Sequence, residues 1–195
     1  MRASMPPASM RLATSGRMRY VGVLKTFSFT NRFGSFTGGA VGTPLGSAAA
    51  NHNTIAAGGA QQQYPLTVPA GSTRLTARIG NASDTGADLD LYVFDCHTGS
   101  CVLAGSSTSG SANEFVSIAN PAAGQWIVLV DPFAVPAGST TYDELDVVSN
   151  PALGSVSVTD PAAVHANGST WSAPASVTAN AAPAAGRFLQ GFVQV

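Results

Sequence analysis

Short apolar runs separated by turn residues dominate the chain from Gln61 onward. In several runs apolar and polar residues alternate, as in a strand with one face in a core, and no segment keeps a helical period. Strands this short and regularly spaced are typical of sandwiches and jelly rolls. The pattern therefore predicts an all-β fold, with an antiparallel β-sandwich of jelly-roll type. The predicted strands lie at residues 64–68, 73–79, 89–96, 101–104, 114–118, 125–130 and 142–148.

Two of these runs identify core positions. Leu89, Leu91 and Val93 share one face of a strand, and we expect that face to be mostly buried. Residues 125–131 form a nearly continuous apolar run, which is typical of a central strand covered on both sides. Trp126 lies in that run, so we expect it to be a core residue.

The pattern divides the chain into three regions. Residues 1–60 are rich in Gly, Ala, Ser and Thr, and only 20–29 looks like a strand, so we expect a low-complexity, loosely ordered region. Residues 61–149 hold the predicted sandwich. Residues 150–195 hold too few candidate strands to close a sandwich alone, so we expect a truncated unit. Those strands lie at 153–159, 171–179 and 187–195.

Charge is sparse and unevenly distributed. Charged residues make up 10% of the chain, against about 25% in average globular proteins, and the formal net charge is −1. Most basic residues precede the first carboxylate, Asp84, but without the dense runs and interleaved aromatics of nucleic-acid sites. No window is long and apolar enough for a membrane span. We therefore expect neither a nucleic-acid partner nor a membrane span.

The composition suits a secreted, extracellular protein, yet the first residues do not form an export signal. Basic residues interrupt this segment, which has no apolar stretch of the required length. They are Arg2, Arg11, Arg17, Arg19 and Lys25. We expect the signal upstream of this chain, which would mean that the chain is a fragment of a longer protein or that its start codon is misplaced.

The two cysteines, Cys96 and Cys101, flank a turn-like tetrapeptide between two apolar runs. This is the arrangement of a hairpin, and we expect a disulfide across it, which implies an oxidising compartment. A reduced pair or half of a metal site is the alternative. With only His97 as a further ligand nearby, a zinc site has too few ligands.

Several separated segments carry a family resemblance. They are DLDLYVFD at 88–95, NE at 113–114, NPAAGQW at 120–126, VLVD at 128–131 and VPAGSTTY at 135–142. In this order they resemble the bacterial pre-peptidase C-terminal domain, as found in the C-terminal region of secreted subtilisin-like serine peptidases. Pro132 is a departure, because relatives often have Gly there. The continuation, GSVSVT at 154–159 and PAAGR at 183–187, is similar to a fibronectin-III-like segment, so we expect a partial fibronectin-III-like unit at 150–195.

The resemblance implies a non-catalytic accessory or binding domain of a secreted subtilisin-like peptidase. It implies the parent catalytic domain as a partner, together with an extracellular protein or polysaccharide. The sequence lacks the His and Ser blocks of such a peptidase, whose base and nucleophile must lie within hydrogen-bond reach. We therefore expect no enzymatic activity of the chain alone, and we expect His52, His97 and His165 to be surface residues.

An enzymatic alternative comes from Asp84-Thr85-Gly86-Ala87, which matches the Asp-Thr-Gly-Ala loop of retroviral-type aspartic proteases. In those enzymes two facing aspartates share a proton, so a homodimer would be needed. Against this alternative, the preceding residues are not an apolar strand. The match is also too short to be specific.

Carboxylates crowd the stretch around Asp84, Asp88 and Asp90. Hard oxygen ligands at a loop entering a strand suit Ca²⁺, and Asp88 and Asp90 point to the same side of an extended strand. One hypothesis is therefore a calcium site, and with it a calcium-dependent adhesion or carbohydrate-binding module as an alternative function. The opposing interpretation is that these are solvated charges that discourage edge pairing.

A ligand-binding surface is the remaining candidate. Four aromatic residues could form a platform for polysaccharide or protein, although aromatics in a sandwich are more often core or cross-strand pairs. They are Tyr92, Phe94, Phe133 and Tyr142. The sequence leaves both interpretations open, and it names no ligand.

Overall fold

The structure, a computed structural model, describes residues 8–12, 21–32 and 34–195. A short 3-10 turn, Pro151–Leu153, interrupts an otherwise β arrangement. The strands are β1 (Ala8–Leu12), β2 (Val21–Thr30), β3 (Phe36–Gly38), β4 (Val41–Gly42), β5 (Gly46–Ala56), β6 (Gln62–Val68), β7 (Arg74–Gly80), β8 (Asp88–Asp95), β9 (Val102–Ser107), β10 (Glu114–Ala119), β11 (Gly124–Ala134), β12 (Ser139–Ser149), β13 (Gly154–Val158), β14 (Ala163–His165), β15 (Thr170–Ala179) and β16 (Phe188–Gln194).

The chain divides into two compact units. The central unit is Ala48–Asn150, and the terminal unit combines Met1–Ser47 with Pro151–Val195. The central unit thus begins before residue 61, where the sequence places the start of the sandwich. The predicted division at residues 60 and 149 stays a prediction, and its residues 1–7, 13–20 and 33 lie outside the described part of the chain.

The central unit is a jelly roll. One sheet has the order β5-β12-β7-β10 and the other β6-β11-β8-β9. Strands of the two sheets alternate along the chain, except that β8 and β9 form a hairpin within the second sheet. This alternation between facing sheets defines the jelly roll. The predicted all-β, antiparallel sandwich is confirmed.

The core of the central unit lies between these two sheets. Leu89, Leu91 and Val93 of β8 face it and are fully buried, as the alternation predicts. Trp126 of β11 is also a core residue, and its indole N–H donates to the carbonyl of Ala122 at 2.9 Å. The polar end of this large side chain is thereby satisfied inside the core.

The terminal unit has a smaller core of its own. β15 pairs with both β13 and β2, β3 pairs with β14, and β16 pairs with β1 and β4. The strands expected near residues 153–159, 171–179 and 187–195 are therefore joined by N-terminal strands. Their buried side chains include Val156, Val177 and Leu189. The fibronectin-III-like assignment stays a prediction.

Candidate functional site

The outer face of the sheet β6-β11-β8-β9 carries a continuous apolar row. Ile127 of β11 lies directly opposite Pro65 of β6 on one side and Phe94 of β8 on the other. Leu103 of β9 continues the row beyond Phe94. Directly opposite residues have side chains on the same face, so four adjacent strands contribute one apolar side chain each. We call this set, with the residues that continue it along β8 and β11, the outer face.

The row is accessible at both ends and partly covered in the middle. Leu103 is 51% exposed and Pro65 is exposed, whereas Phe94 and Ile127 are half-buried. One step along the strands, Leu129, which is only 8% exposed, lies opposite the half-buried Tyr92, so that Tyr92 supplies most of the accessible surface of this second row. The outer face is therefore an apolar surface two side-chain rows deep at its centre.

Two carboxylates end the apolar rows. Asp90 of β8 lies directly opposite Asp131 of β11. Asp90 accepts a hydrogen bond from the Tyr92 hydroxyl at 3.0 Å, and Asp131 accepts one from the Gln61 side-chain amide at 2.7 Å. Among the described residues, no hydrogen bond reaches the second oxygen of either carboxylate.

The environment of Asp90 disfavours its charged form. Burial raises the pKa of its carboxyl above the ordinary value, the hydrogen bond from Tyr92 lowers it, and the neighbouring carboxylates Asp88, Asp131 and Glu114 raise it further. The net shift of the pKa is upward, because burial and like charges both penalise an ionised carboxyl. A cation bound between the strands would relieve this repulsion.

The predicted metal ligands do not all converge. Asp88 lies near Asp90 on β8, and one of its oxygens, Oδ1, is buried without a hydrogen-bond partner. Asp84 instead sits in the turn before β8. Within the described part of the chain, no three His, Cys, Asp or Glu side chains are grouped closely enough to hold a metal ion. The calcium site at Asp84, Asp88 and Asp90 stays a prediction.

Asp84 organises a turn with both carboxylate oxygens. One accepts the backbone N–H of Gly86 at 3.0 Å and the other accepts that of Ala137 at 2.9 Å. Its own backbone N–H donates to the Thr140 hydroxyl at 3.0 Å. These bonds tie the turn before β8 to the loop before β12. They occupy the aspartate that the aspartic-protease alternative would require for activating water.

The four aromatic candidates are not brought onto one surface. Tyr92 and Phe94 lie on the outer face, and Phe133, 70% exposed, lies at the irregularity in the pairing of β11 with β8. Tyr142 is fully buried in the core. The part of the proposed platform that exists is therefore the pair on β8, with Phe133 beyond the carboxylates.

Tyr142 belongs to a buried polar network. Its hydroxyl lies 2.6 Å from that of Tyr64 and donates to the Gln62 side-chain oxygen at 2.7 Å. Asn53 donates to the Tyr64 hydroxyl at 2.8 Å. Burial raises the pKa of both tyrosines above the ordinary value. Since these groups satisfy one another, the network fixes strands β5, β6 and β12 in place.

The predicted disulfide between Cys96 and Cys101 is present at the tip of the β8–β9 hairpin. Inside its loop, His97 Nδ1 lies 2.7 Å from an oxygen of Asp95, and the His97 backbone N–H donates to that oxygen. Partial burial pushes the pKa of Asp95 upward, but these hydrogen bonds outweigh it and leave the pKa below its ordinary value.

The prediction that every histidine is a surface residue is wrong for His165. His52 and His97 are exposed, whereas His165 is only 7% exposed. Its ring stacks on that of Trp171 with centroids 3.7 Å apart, and the Phe36 ring lies 5.3 Å from the His165 ring. The aromatic environment, invisible in the local sequence, buries this imidazole.

The sequence analysis missed Asp131, Ile127 and Leu103 as site residues. Residues 125–131 could have indicated them, because the apolar residues of this run fall on both faces of the strand. Such a run predicts a strand covered on both sides, but the outer side of β11 remains only partly covered. An apolar strand face that is only partly covered is typical of a binding surface.

Comparisons with known proteins begin with solved structures. Two similar structures are a periplasmic inhibitor of g-type lysozyme from Aeromonas hydrophila, PliG, and the Yersinia pseudotuberculosis-derived mitogen, YPM. PliG is 18% identical with a TM-score of 0.39, covering 53% of this chain and 88% of its own. YPM is 14% identical with a TM-score of 0.40, covering 53% of this chain and 86% of its own. No curated protein matches the chain.

No helix in the described residues has the length and hydropathy needed to cross a bilayer. The sequence model of one family, the bacterial pre-peptidase C-terminal domain, matches residues 62–132, from the start of β6 into β11. Domains of this family are C-terminal domains of secreted peptidases. The predicted resemblance is therefore confirmed: residues 62–132 match the model of the bacterial pre-peptidase C-terminal domain.

Proposed function

We propose that the central unit is a non-catalytic accessory domain that binds protein substrate for a secreted subtilisin-like serine peptidase. The observation that carries this proposal is the family match over residues 62–132, which covers the sheet that bears the outer face except for the last two residues of β11. A partly uncovered apolar sheet face is a feature of binding modules rather than of catalytic centres.

The surroundings of the histidines support a non-catalytic role. His52 lies 2.7 Å from an oxygen of Asp143, and His97 lies 2.7 Å from one of Asp95. Among the described residues, neither imidazole hydrogen-bonds a serine or cysteine, whereas nucleophilic catalysis requires such a pair. The two His–Asp pairs therefore stabilise the loops and strands in which they lie.

Secretion of the parent protein is the second part of the proposal. The disulfide between Cys96 and Cys101 supports it, because disulfides persist in oxidising compartments. The low content of charged residues, 10%, supports it as well.

The test compares a secreted subtilisin-like catalytic domain with and without this chain fused to its C-terminus. We expect a severalfold lower KM for an unfolded protein substrate, and unchanged kinetics for a small chromogenic peptide that is too short to reach the accessory domain. Equal KM values for the protein substrate in both enzymes would overturn the accessory role.

The aspartic-protease alternative is tested on the chain alone. We expect no hydrolysis of labelled casein at neutral or acidic pH. Hydrolysis that stops with pepstatin and is lost in Asp84→Asn would establish the alternative and overturn the non-catalytic role.

A further inference from the structure

We propose that the outer face binds an extended polypeptide that presents two apolar side chains two residues apart and an Arg or Lys two residues further along. This inference rests on the proposed function and specifies its ligand. The peptide lies along β8 and β11, with its apolar residues over the two apolar rows and its cation at the carboxylates.

The spacing of the outer face matches that of an extended chain. Successive positions along β11 on this face are Ile127, Leu129 and Asp131, and their partners on β8 are Phe94, Tyr92 and Asp90. Residues two apart on a strand are separated by about 7 Å. Every second side chain of an extended peptide has the same spacing, so three consecutive inward side chains meet apolar, apolar and acidic pairs in turn.

The acidic pair is suited to a cationic side chain. Asp90 and Asp131 lie opposite each other, and each has one carboxylate oxygen that no described residue hydrogen-bonds. A guanidinium has several donors in one plane and can bond two carboxylates together, whereas an ammonium acts as a point charge. The Tyr92 hydroxyl bonds Asp90, and the exposed Phe133 lies two residues after Asp131, so both aromatics are close in sequence to the pair that would bind the cation.

Charge complementarity selects this occupant over a second copy of the chain. From Ala48 to Asn150 the sequence has two arginines and nine carboxylates, a formal charge of −7. Both arginines, Arg74 and Arg78, belong to β7 in the other sheet. A second central unit would bring like charges together, whereas a cationic peptide reduces the repulsion.

The state of the carboxylates in the unliganded chain supports the same ligand. Burial and the nearby carboxylates raise the pKa of Asp90, so its charge is unfavourable until a cation arrives. The hydrogen bond from Tyr92 compensates this charge only in part, and a carboxyl with a raised pKa is common at binding sites.

The experiment is an NMR titration of the full, isotope-labelled chain with short blocked peptides. The probe is Ser-Leu-Ser-Leu-Ser-Arg-Ser. One control replaces Arg by Glu, and a second, Ser-Leu-Leu-Ser-Ser-Arg-Ser, has the same composition but the wrong spacing. We expect the probe to shift backbone resonances of β8 and β11, and to bind about tenfold more tightly than either control.

Variants locate the site. Asp131→Asn and Asp90→Asn remove the charges with little change of shape, and Phe94→Thr removes an apolar contact while keeping a strand-forming residue. We expect each to weaken binding of the probe about tenfold. Phe115→Thr on β10 is the matched control, because Phe115 is exposed on the other sheet. This variant should bind the probe peptide as tightly as the unchanged chain does.

Equal affinities for the Arg and Glu peptides would overturn the inference, as would binding unaffected by Asp131→Asn. Self-association of the chain that shifts the same resonances without peptide would also overturn it, in favour of a second copy. A fusion enzyme that keeps its lower KM for protein substrate after these results would show that the accessory role stands while this ligand assignment fails.

Discussion

Asp90 affects both the stability of the free protein and the proposed binding of a cation. Its carboxyl is almost buried, faces Asp131 and keeps a raised pKa. A folded-state pKa above the unfolded value contributes stability that is fully present below the unfolded pKa and is lost as pH rises through the folded pKa. Above this raised pKa, the ionised Asp90 therefore destabilises the free protein.

We predict that Asp90→Asn raises the melting temperature at neutral pH by a few degrees, because it removes a partly buried like charge and keeps an acceptor for Tyr92. The difference in melting temperature between the variant and the unchanged chain should disappear as the pH falls below about 4, where Asp90 is protonated in both the folded and the unfolded state. Thermal unfolding across this pH range measures it. An unchanged or lower melting temperature at neutral pH would contradict the account.

A matched control is Asp143→Asn, which removes an exposed carboxylate that contacts His52 and accepts a hydrogen bond from Asn81. Here the charge is compensated, so its removal should not raise the melting temperature. A rise equal to that of Asp90→Asn would indicate a general effect of net charge instead.

Tyr142→Phe tests the buried network. The change removes a hydroxyl that contacts Tyr64 and Gln62, and should lower the free energy of unfolding by about 1–3 kcal/mol. The raised pKa of both tyrosines keeps their stabilising effect below about pH 10, and it is lost as pH rises through the raised values. Raising the pH above about 10 should therefore lower the free energy of unfolding less in the variant than in the unchanged chain. Denaturant titrations at neutral and alkaline pH measure both effects, and equal curves for the two proteins would contradict them.

At the scale of elements, the β8–β9 hairpin supports half of the outer face. The disulfide between Cys96 and Cys101 closes its loop. Replacing both cysteines by serine should lower the free energy of unfolding by about 2 kcal/mol, because the reduced chain has more freedom when unfolded. Denaturant unfolding measures this change. A reductant should have the same effect on the unchanged chain and none on the variant, and an unshifted midpoint in the variant would contradict the prediction.

The turn into β11 tests a second element. Gly124 has a φ of 143°, and a Cβ there would lie 2.6 Å from the Cβ of His97. Gly124→Ala should therefore destabilise the sandwich by more than about 1 kcal/mol, through backbone strain and this contact. Gly138→Ala is the control for backbone strain alone, since its φ is 82° with no atom close to an added Cβ. Equal losses of stability in both variants would contradict a role for the His97 contact.

The sequence predicted those elements that hydrophobic alternation or residue spacing within a short segment identifies. The alternation of residues 88–95 identified β8 and its buried face, and the cysteine spacing identified the hairpin. β5 was missed, because its small and polar residues, GSAAANHNTIA, show no alternation of hydrophobicity. The strand is instead held by pairing with β12, which lies far along the sequence. Such pairing is not encoded in a local window.

The candidate site was half predicted for the same reason. Asp90, Tyr92 and Phe94 lie in one recognisable strand, but Asp131 and Ile127 join them only through the antiparallel register of β8 and β11. A shift of one residue in that register would place Asp131 on the inner face. His165 was misjudged because its stacking on Trp171 is likewise a tertiary contact.

At the scale of the whole molecule, the features that support the proposed function lie in one unit. The match to the pre-peptidase C-terminal domain lies inside the central unit, which contains nine of the ten carboxylates of the chain. An acidic jelly roll with a partly uncovered apolar face fits the binding role that we propose. The segregation of charge also favours cationic partners and makes their binding sensitive to salt.

The most direct measurement of the central claim follows binding and cleavage in a single sample. The purified chain is titrated with the peptide Ser-Leu-Ser-Leu-Ser-Arg-Ser, and mass spectrometry then examines the peptide after long incubation. The account predicts saturable binding at β8 and β11 with the peptide intact. A cleaved peptide, or no binding to the outer face at any concentration, would contradict it.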